Sequence, residues 1–479
     1  MGCTKSKSKR ATAPMKMSES SLSVSKVIPK SLLNIRQEDP LEAFTDVTLI
    51  SSSNRSEVFK CLDKSTRMLR ILKRISKNKS ENQLNQNIER PKEIKVWQVL
   101  DYPNLPRCYG LNETGDYHYI VMDFCEGERL TNKLREFQET EEKISIIMRQ
   151  ILSTVAYLHS KRIAHRNIDP NHILIEDGSL VHIKLVGFGK STFLTGQKMM
   201  GQQGTSYFMS PEMIRGYYNE KCDEWSCGMI MYILLTGNIP YEGKSDIEIV
   251  EEIKTRPFQL NLKELKGISS QAILLLQHLL EIDPIARISA SIALTHPWLV
   301  QANKKDSGIS GIIGKLRKYE SQTGLSQVVS EYISQTIEPD DEKEIIKAFQ
   351  VFDTNRDGII SKKELLEGFS HVEGIKNAHG DVDRLISKIA ELSETISYSE
   401  FLTLCLEQSK YVSKDNLFEI FKNLDINSQG KIAESDLKKV LDYKNKVSEE
   451  EWRNIITEAD SNKDGYVDFD EFVASMNRK

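Results

Sequence analysis

Two stretches near the C-terminal end leave this chain little freedom in what it can fold into. "DTNRDGIISKKE", Asp353 to Glu364, and "DSNKDGYVDFDE", Asp460 to Glu471, both follow the pattern D-x-[DN]-x-[DN]-G-x5-E. That spacing arranges oxygen donors around a hard cation in a 12-residue loop, with glycine at position 6 for the sharp turn and a final glutamate giving both oxygens. The calcium donors it predicts are Asp353, Asn355, Asp357, the carbonyl of Ile359, and Glu364. In the other loop they are Asp460, Asn462, Asp464, the carbonyl of Tyr466, and Glu471. Ile360 and Val467, at position 8, suit the short strand through which two such loops pair.

Two poorer loops complete the set. "DINSQGKIAESD", Asp425 to Asp436, keeps Asp425, Asn427 and Gly430, with Gln429 at position 5, Lys431 at the carbonyl position and Asp436 at the end. The shorter final side chain reaches an ion less well, so a weaker site is expected. "IAELSETISYSE", Ile389 to Glu400, retains Ile396 and Glu400 but lacks the first acid and the glycine, and is read as an ion-free partner loop. Four hands make two pairs in a helical, calmodulin-like domain over residues 339–479.

The other end reads differently. "MGCTKSKSKR" matches the myristoylation pattern at Gly2, and Cys3 beside it is a palmitoylation candidate. Over residues 1–30, Lys5, Lys7, Lys9, Arg10, Lys16, Lys26 and Lys30 face Glu19 alone. One acyl chain gives marginal binding, and nearby basic residues add to it on an anionic leaflet. Residues 1–40 are therefore expected to be a disordered, lipidated tail holding the protein at the cytoplasmic face of a membrane. A net charge of −4 gives no support to nucleic-acid binding. Seven scattered cysteines fit a reducing compartment.

Between these ends, residues 43–74 alternate β-branched runs with turn residues, as in a small antiparallel sheet. "EEKISIIMRQILSTVAYLHS" places Ile144, Ile147, Met148, Ile151 and Val155 at helical spacing. A strand-rich lobe followed by a helical one gives an α+β fold. Further on stand "SPEMI", "CDEWSCGMIMYILLTGNIPY", "DPIARISA" and "HPWL". With these motifs residues 41–299 resemble a protein kinase domain of the calmodulin-kinase group. With a junction at 300–338 and the four hands, nearly the whole chain resembles the calcium-dependent protein kinases of plants and protists. The resemblance implies a bilobal kinase fold, an ion pair between Arg287 and Glu212, and an autoinhibitory junction that calcium releases.

It also implies chemistry that this sequence has altered. Phosphoryl transfer needs a strand lysine paired with a helix glutamate, here Lys73 and Glu93, both kept. Pro91 implies a kink or late start in that helix. The three glycine positions over the phosphates hold Ser51, Ser53 and Ser56. The catalytic loop reads "AHRNIDPNHILI": the proton-accepting aspartate is Asn167, the loop lysine is Asp169 and the magnesium-binding asparagine is His172. The second magnesium ligand is Gly187 in "GFG". Arg129 and Asn171 stand where the family carries substrate-greeting glutamates.

Changes in so many separate elements favour a pseudokinase acting as scaffold or allosteric partner. One alternative is an active, atypical Ser/Thr kinase in which Asp169 serves as base and His172 holds a metal, or Lys190 replaces a metal's charge. Another is a calcium buffer or calmodulin-like binding module. The sequence leaves open whether ATP binds at all, with or without magnesium. It does not identify a protein partner.

Overall fold

The computed structural model describes residues 35–476 apart from 78–90, 139, 177–180, 242, 244, 257, 262, 301–308, 319–323, 335–338, 371–377, 390–394, 407–413, 426, 428 and 442–448. Gly2 and Cys3 lie outside the described residues, as do residues 390–394 of the second hand's loop.

The small lobe is a six-stranded sheet made of β1 (Ile35–Arg36), β2 (Phe44–Ser52), β3 (Ser56–Asp63), β4 (Leu69–Ser76), β5 (Cys108–Glu113) and β6 (Tyr117–Asp123), in the order β1-β5-β6-β4-β3-β2. All pairs are antiparallel except β1 with β5, where Ile35 faces Leu111. β1 corrects the expectation that residues 1–40 are wholly a disordered tail. Ile35 adds to the sheet edge, and Pro40 is buried in a short 3-10 turn capped by Asp39. Across β3 and β4, Val58 pairs with Lys73, which fixes where the lysine emerges.

Helix α1 (Lys92–Trp97) starts immediately after Pro91, which has no N–H to leave unpaired. This is the late start that the proline predicts, and it leaves a helix of six residues. Helices α2 (Leu130–Phe137) and α3 (Glu141–Ser160) open the large lobe. α3 begins where Thr140 accepts a bond from the Lys143 N–H, and Glu141 and Glu142 suit the positive end of the helix. The buried helix Lys221–Thr236 ends at Gly237, whose φ of +75° is a left-handed cap. Arg287 is buried and clamps Glu212 through two bonds of 2.6 and 3.1 Å, as the family resemblance implies.

Four hands follow. Strand pairs Ile359–Ser361 with Thr395–Ser397, and Lys431–Ile432 with Val467–Asp468, join hands one with two and three with four. Ile360 faces Ile396, and Ile432 faces Val467, so the position-8 residues do pair. The junction contributes two described helices, Ile309–Lys318 and Leu325–Ser334. The first packs Ile312, Ile313 and Leu316 into the core of the first pair of hands. The second packs Leu325, Val329, Tyr332 and Ile333 into the second pair. Both junction helices are thus held by the hands. Contacts back to the small lobe run from Tyr332 Oη to the Ser65 carbonyl (3.1 Å) and from Arg107 to the Ser334 carbonyl (2.7 Å). Among the described residues no helix is long and apolar enough to cross a membrane.

Candidate functional site: the altered cleft and the calcium loops

The cleft is built in an assembled arrangement. Lys73 Nζ donates to both carboxylate oxygens of Glu93, at 2.6 and 2.8 Å. Below this pair, Phe188 packs edge-on to Trp97 (5.0 Å between centroids) and to His165 (4.8 Å). Asp223 holds the loop before the altered positions, accepting from the amides of His165 and Arg166 at 2.8 Å each. Arg166 there has φ of +65°, a left-handed backbone that needs such support. Burial of His165 pushes its imidazole down to about 4, while its Nε2 lies 3.1 Å from the Val186 carbonyl oxygen. His159 behaves oppositely. Burial works against its charge, but Glu224 and Asp223 outweigh that and push it up to about 10.

The altered positions form their own hydrogen-bonded cluster. Asp169 is buried and caps a 3-10 turn, accepting from the amides of Asn171 (2.8 Å) and His172 (3.2 Å). Its other oxygen accepts from Thr205 Oγ1 at 2.6 Å. His172 Nδ1 lies 3.1 Å from Asp169 Oδ1, and the Asn167 amide group lies 3.4 Å from both ring nitrogens. Burial opposes ionisation of Asp169, yet the bonds from His172 and Thr205 hold its carboxyl below the usual range. An acid so held is a poor proton acceptor at neutral pH. The serine turn over the cleft is closed on itself: Ser53 Oγ accepts from the Ser56 amide (3.2 Å) and lies 3.0 Å from Ser56 Oγ. Arg129 is exposed on the strand Glu128–Arg129, and Asn171 accepts from Thr131 Oγ1 at 3.0 Å.

The donor set of this cleft does not suit magnesium, which takes carboxylate, phosphate and water oxygens. Gly187 brings no side chain and His172 a nitrogen ring. The amide of Asn167 is turned toward that ring.

The calcium loops do suit their cation. In the first, Asp353 Oδ1 and Oδ2 accept from the amides of Asp357 (3.1 Å) and Gly358 (3.2 Å), and Asn355 Oδ1 accepts from the Asp357 amide at 2.8 Å. Burial, with Asp357 and Glu364 adding, pushes Asp353 up to about 7 despite Arg356. Such crowded oxygens are relieved by a divalent ion. Against the cost of burial, bonds from Ser361, Asn355 and Thr354 hold Glu364 below its usual range. The fourth loop repeats the pattern through Asp460, Asn462, Asp464 and Glu471. Asp353, Asn355, Asp357, Glu364 and the Ile359 carbonyl would hold the first ion. Asp460, Asn462, Asp464, Glu471 and the Tyr466 carbonyl would hold the other.

The weak third loop differs at its last position. Glu364 and Glu471 reach across their loops to the amides of Asn355 (3.3 Å) and Asn462 (3.0 Å). Among the described residues Asp436 accepts from the Asn427 side-chain amide (3.0 Å) and the Ala433 amide (3.0 Å). In the second hand Glu400 closes a capping box with Ser397. Lys431 pairs with Asp464 of the fourth loop, a link between the third and fourth hands absent from the sequence reading.

The structure also joins the hands to the kinase-like domain. Arg107 donates to the Ser334 carbonyl, lies 3.6 Å from Asp123, and lies 3.8 Å from Glu342 on the helix Pro339–Phe352. Tyr109 Oη donates to Asp123 (2.6 Å) and Tyr398 Oη to Glu342 (2.7 Å). Gln350 donates to Asn104 Oδ1, and Ser399 donates to Asp101. Gly358 of the first calcium loop lies against Tyr157 of α3. Nothing in the sequence pattern around "NLPRCYG" marks Arg107, because its partners on the EF-hand side, Ser334 and Glu342, lie more than two hundred residues away.

The fold and these two kinds of site define a class: a bilobal protein-kinase fold with an assembled Lys–Glu brace, joined to paired EF-hands. Residues 44–299 match the protein kinase domain family, residues 414–477 an EF-hand domain pair, and residues 345–370 an EF hand. Calcium-dependent protein kinase 4 of Plasmodium falciparum (isolate 3D7) is 30% identical, over 95% of this chain and 92% of its own. Its Plasmodium berghei (strain Anka) counterpart is also 30% identical with the same coverage. Calcium-dependent protein kinase 3 of Plasmodium berghei (strain Anka) is 32% identical over 88% of this chain and 78% of its own. The chain belongs to the calcium-dependent protein kinase family, and its EF-hands together with these relatives support calcium binding.

Proposed function

We propose that this protein is a membrane-anchored, calcium-responsive pseudokinase that works through contacts rather than phosphoryl transfer. The observation that carries this reading is the state of Asp169. The one acid in the altered loop has its oxygens committed to Thr205, His172 and the turn it caps, and it faces no free proton acceptor role. Its neighbours at the metal positions, His172 and Gly187, offer no carboxylate. The Lys73–Glu93 brace supports a folded cleft and is compatible with a scaffold.

Calcium would act by shifting the population between junction helices docked in the hands and junction helices free to engage elsewhere. The apolar faces of both helices in the EF-hand cores support this. The basic, acylated N-terminus would hold the protein at the cytoplasmic face of a membrane, where it meets its protein partners. Two measurements test the proposal. Calcium titration of the full chain should change its scattering profile and the protease sensitivity of residues 300–338; no change in either would reject the response. Gly2→Ala should move the protein from the membrane to the soluble fraction of cells; an unchanged distribution would reject the anchor.

A further inference from the structure

We propose that His172 and Gly187 form one steric unit, and that the His172 ring, not only the missing carboxylate at position 187, keeps divalent metal out of the cleft. The inference rests on the non-catalytic reading and concerns what enforces it.

Gly187 sits at φ +89°, and a Cβ there would fall 2.2 Å from His172 Cδ2, 2.8 Å from Cγ and 2.9 Å from Nε2. No real Cβ tolerates such distances, so any side chain at 187 requires the ring to leave. The ring is pinned. Its Nδ1 lies 3.1 Å from Asp169, and Asn167 sits against its two nitrogens. Its backbone is held at both ends: the His172 amide donates to the Asp169 carbonyl at 3.0 Å, and the Val186 amide donates to the His172 carbonyl at 2.9 Å. That second bond ties the two segments together directly beside the contact. His172 therefore occupies the space that a carboxylate at 187 would need. The dependence runs one way: a side chain at 187 clashes with the His172 ring, whereas a smaller residue at 172 leaves Gly187 undisturbed.

The consequence is an order of dependence. Gly187→Asp alone introduces a metal ligand into filled space, in a left-handed backbone that aspartate tolerates better than most residues. His172→Asn alone opens the space and supplies an amide oxygen but no carboxylate. Only the double variant has room, carboxylate and amide together.

The test is calorimetric titration of magnesium–ATP into the full chain at saturating calcium, so that the EF-hands are already filled. Melting curves without nucleotide accompany it. Wild type, Gly187→Asp and His172→Asn should show no magnesium-dependent binding. Gly187→Asp should melt roughly 4–8 °C lower than wild type, the scale of an overpacked core site. The double variant should recover most of that loss and gain magnesium-dependent ATP binding. Magnesium-dependent binding by Gly187→Asp alone, or none by a folded double variant, would overturn the inference. A strictly additive melting cycle would overturn it as well. Magnesium-dependent binding by wild type would instead defeat the non-catalytic reading itself.

Discussion

Arg107→Ala tests how the hands are tied to the kinase-like domain. The guanidinium is buried between Asp123 at the end of β6, Glu342 on the first EF-hand helix, and the carbonyl that ends the second junction helix. Its loss does not strand the acids completely. Asp123 keeps Arg70 at 3.3 Å and Tyr109 at 2.6 Å, and Glu342 keeps Tyr398 at 2.7 Å. The full penalty for an orphaned buried charge, about 3–5 kcal/mol, therefore does not apply. What is lost across the interface is one charge-assisted bond and a nearby charge pair, about 1.5–3 kcal/mol. That is roughly 10- to 150-fold in the docking equilibrium. Hydrogen exchange of the full chain at saturating calcium reads it directly. Residues 102–112 and 339–352 should exchange faster by about that factor, while the buried helix Lys221–Thr236 keeps its protection. Unchanged exchange at both segments, or an equal rise throughout, would refute Arg107 as the tie.

Three further outcomes are expected. His165 and His159, shifted in opposite directions, put an acid limb and an alkaline limb on either side of about pH 6.5 in the stability of the kinase-like domain. His165, depressed to about 4, contributes stability above its unfolded value of about 6.5 that is lost as pH falls toward 4. His159, raised to about 10, contributes stability that is full below about 6.5 and lost as pH rises through 10. Melting temperature against pH should show both limbs, with His159→Gln flattening the alkaline one; an unaltered alkaline limb would count against the Glu224–Asp223 assignment. Asp436→Glu restores the missing reach in the third loop and should tighten calcium there roughly tenfold or more, the scale on which ligand number tunes such sites; an unchanged titration of that site would place its weakness elsewhere. Arg287→Ala leaves Glu212 buried without its partner and should cost about 3–5 kcal/mol in denaturant unfolding. A cost below about 1 kcal/mol would mean that water reaches the carboxylate.

The parts of this protein visible in the sequence are those written in local patterns. The helix Glu141–Ser160 follows the apolar spacing of its residues, and the calcium loops follow ligand spacing fixed within twelve positions. Lys73 and Glu93 meet because a β-strand and a short helix after Pro91 each place one end of the pair. The rest depends on distance in space. The fit of Gly187 to the His172 ring is a side-chain contact between separate loops, and neither residue announces it alone. Arg107 and Ser334 are far apart in the chain, so no window of sequence contains their bond. Ile35 is not separable from the polar tail by sequence, because a two-residue strand carries almost no periodic signal.

The most direct test of the account is transfer of labelled phosphate from magnesium–ATP by the full chain at saturating calcium, beside Lys73→Met and Asp169→Ala. Wild type should incorporate no more label than Lys73→Met, with or without calcium. Calcium-stimulated incorporation that Asp169→Ala abolishes would contradict it, and would make Asp169 the base of an active enzyme.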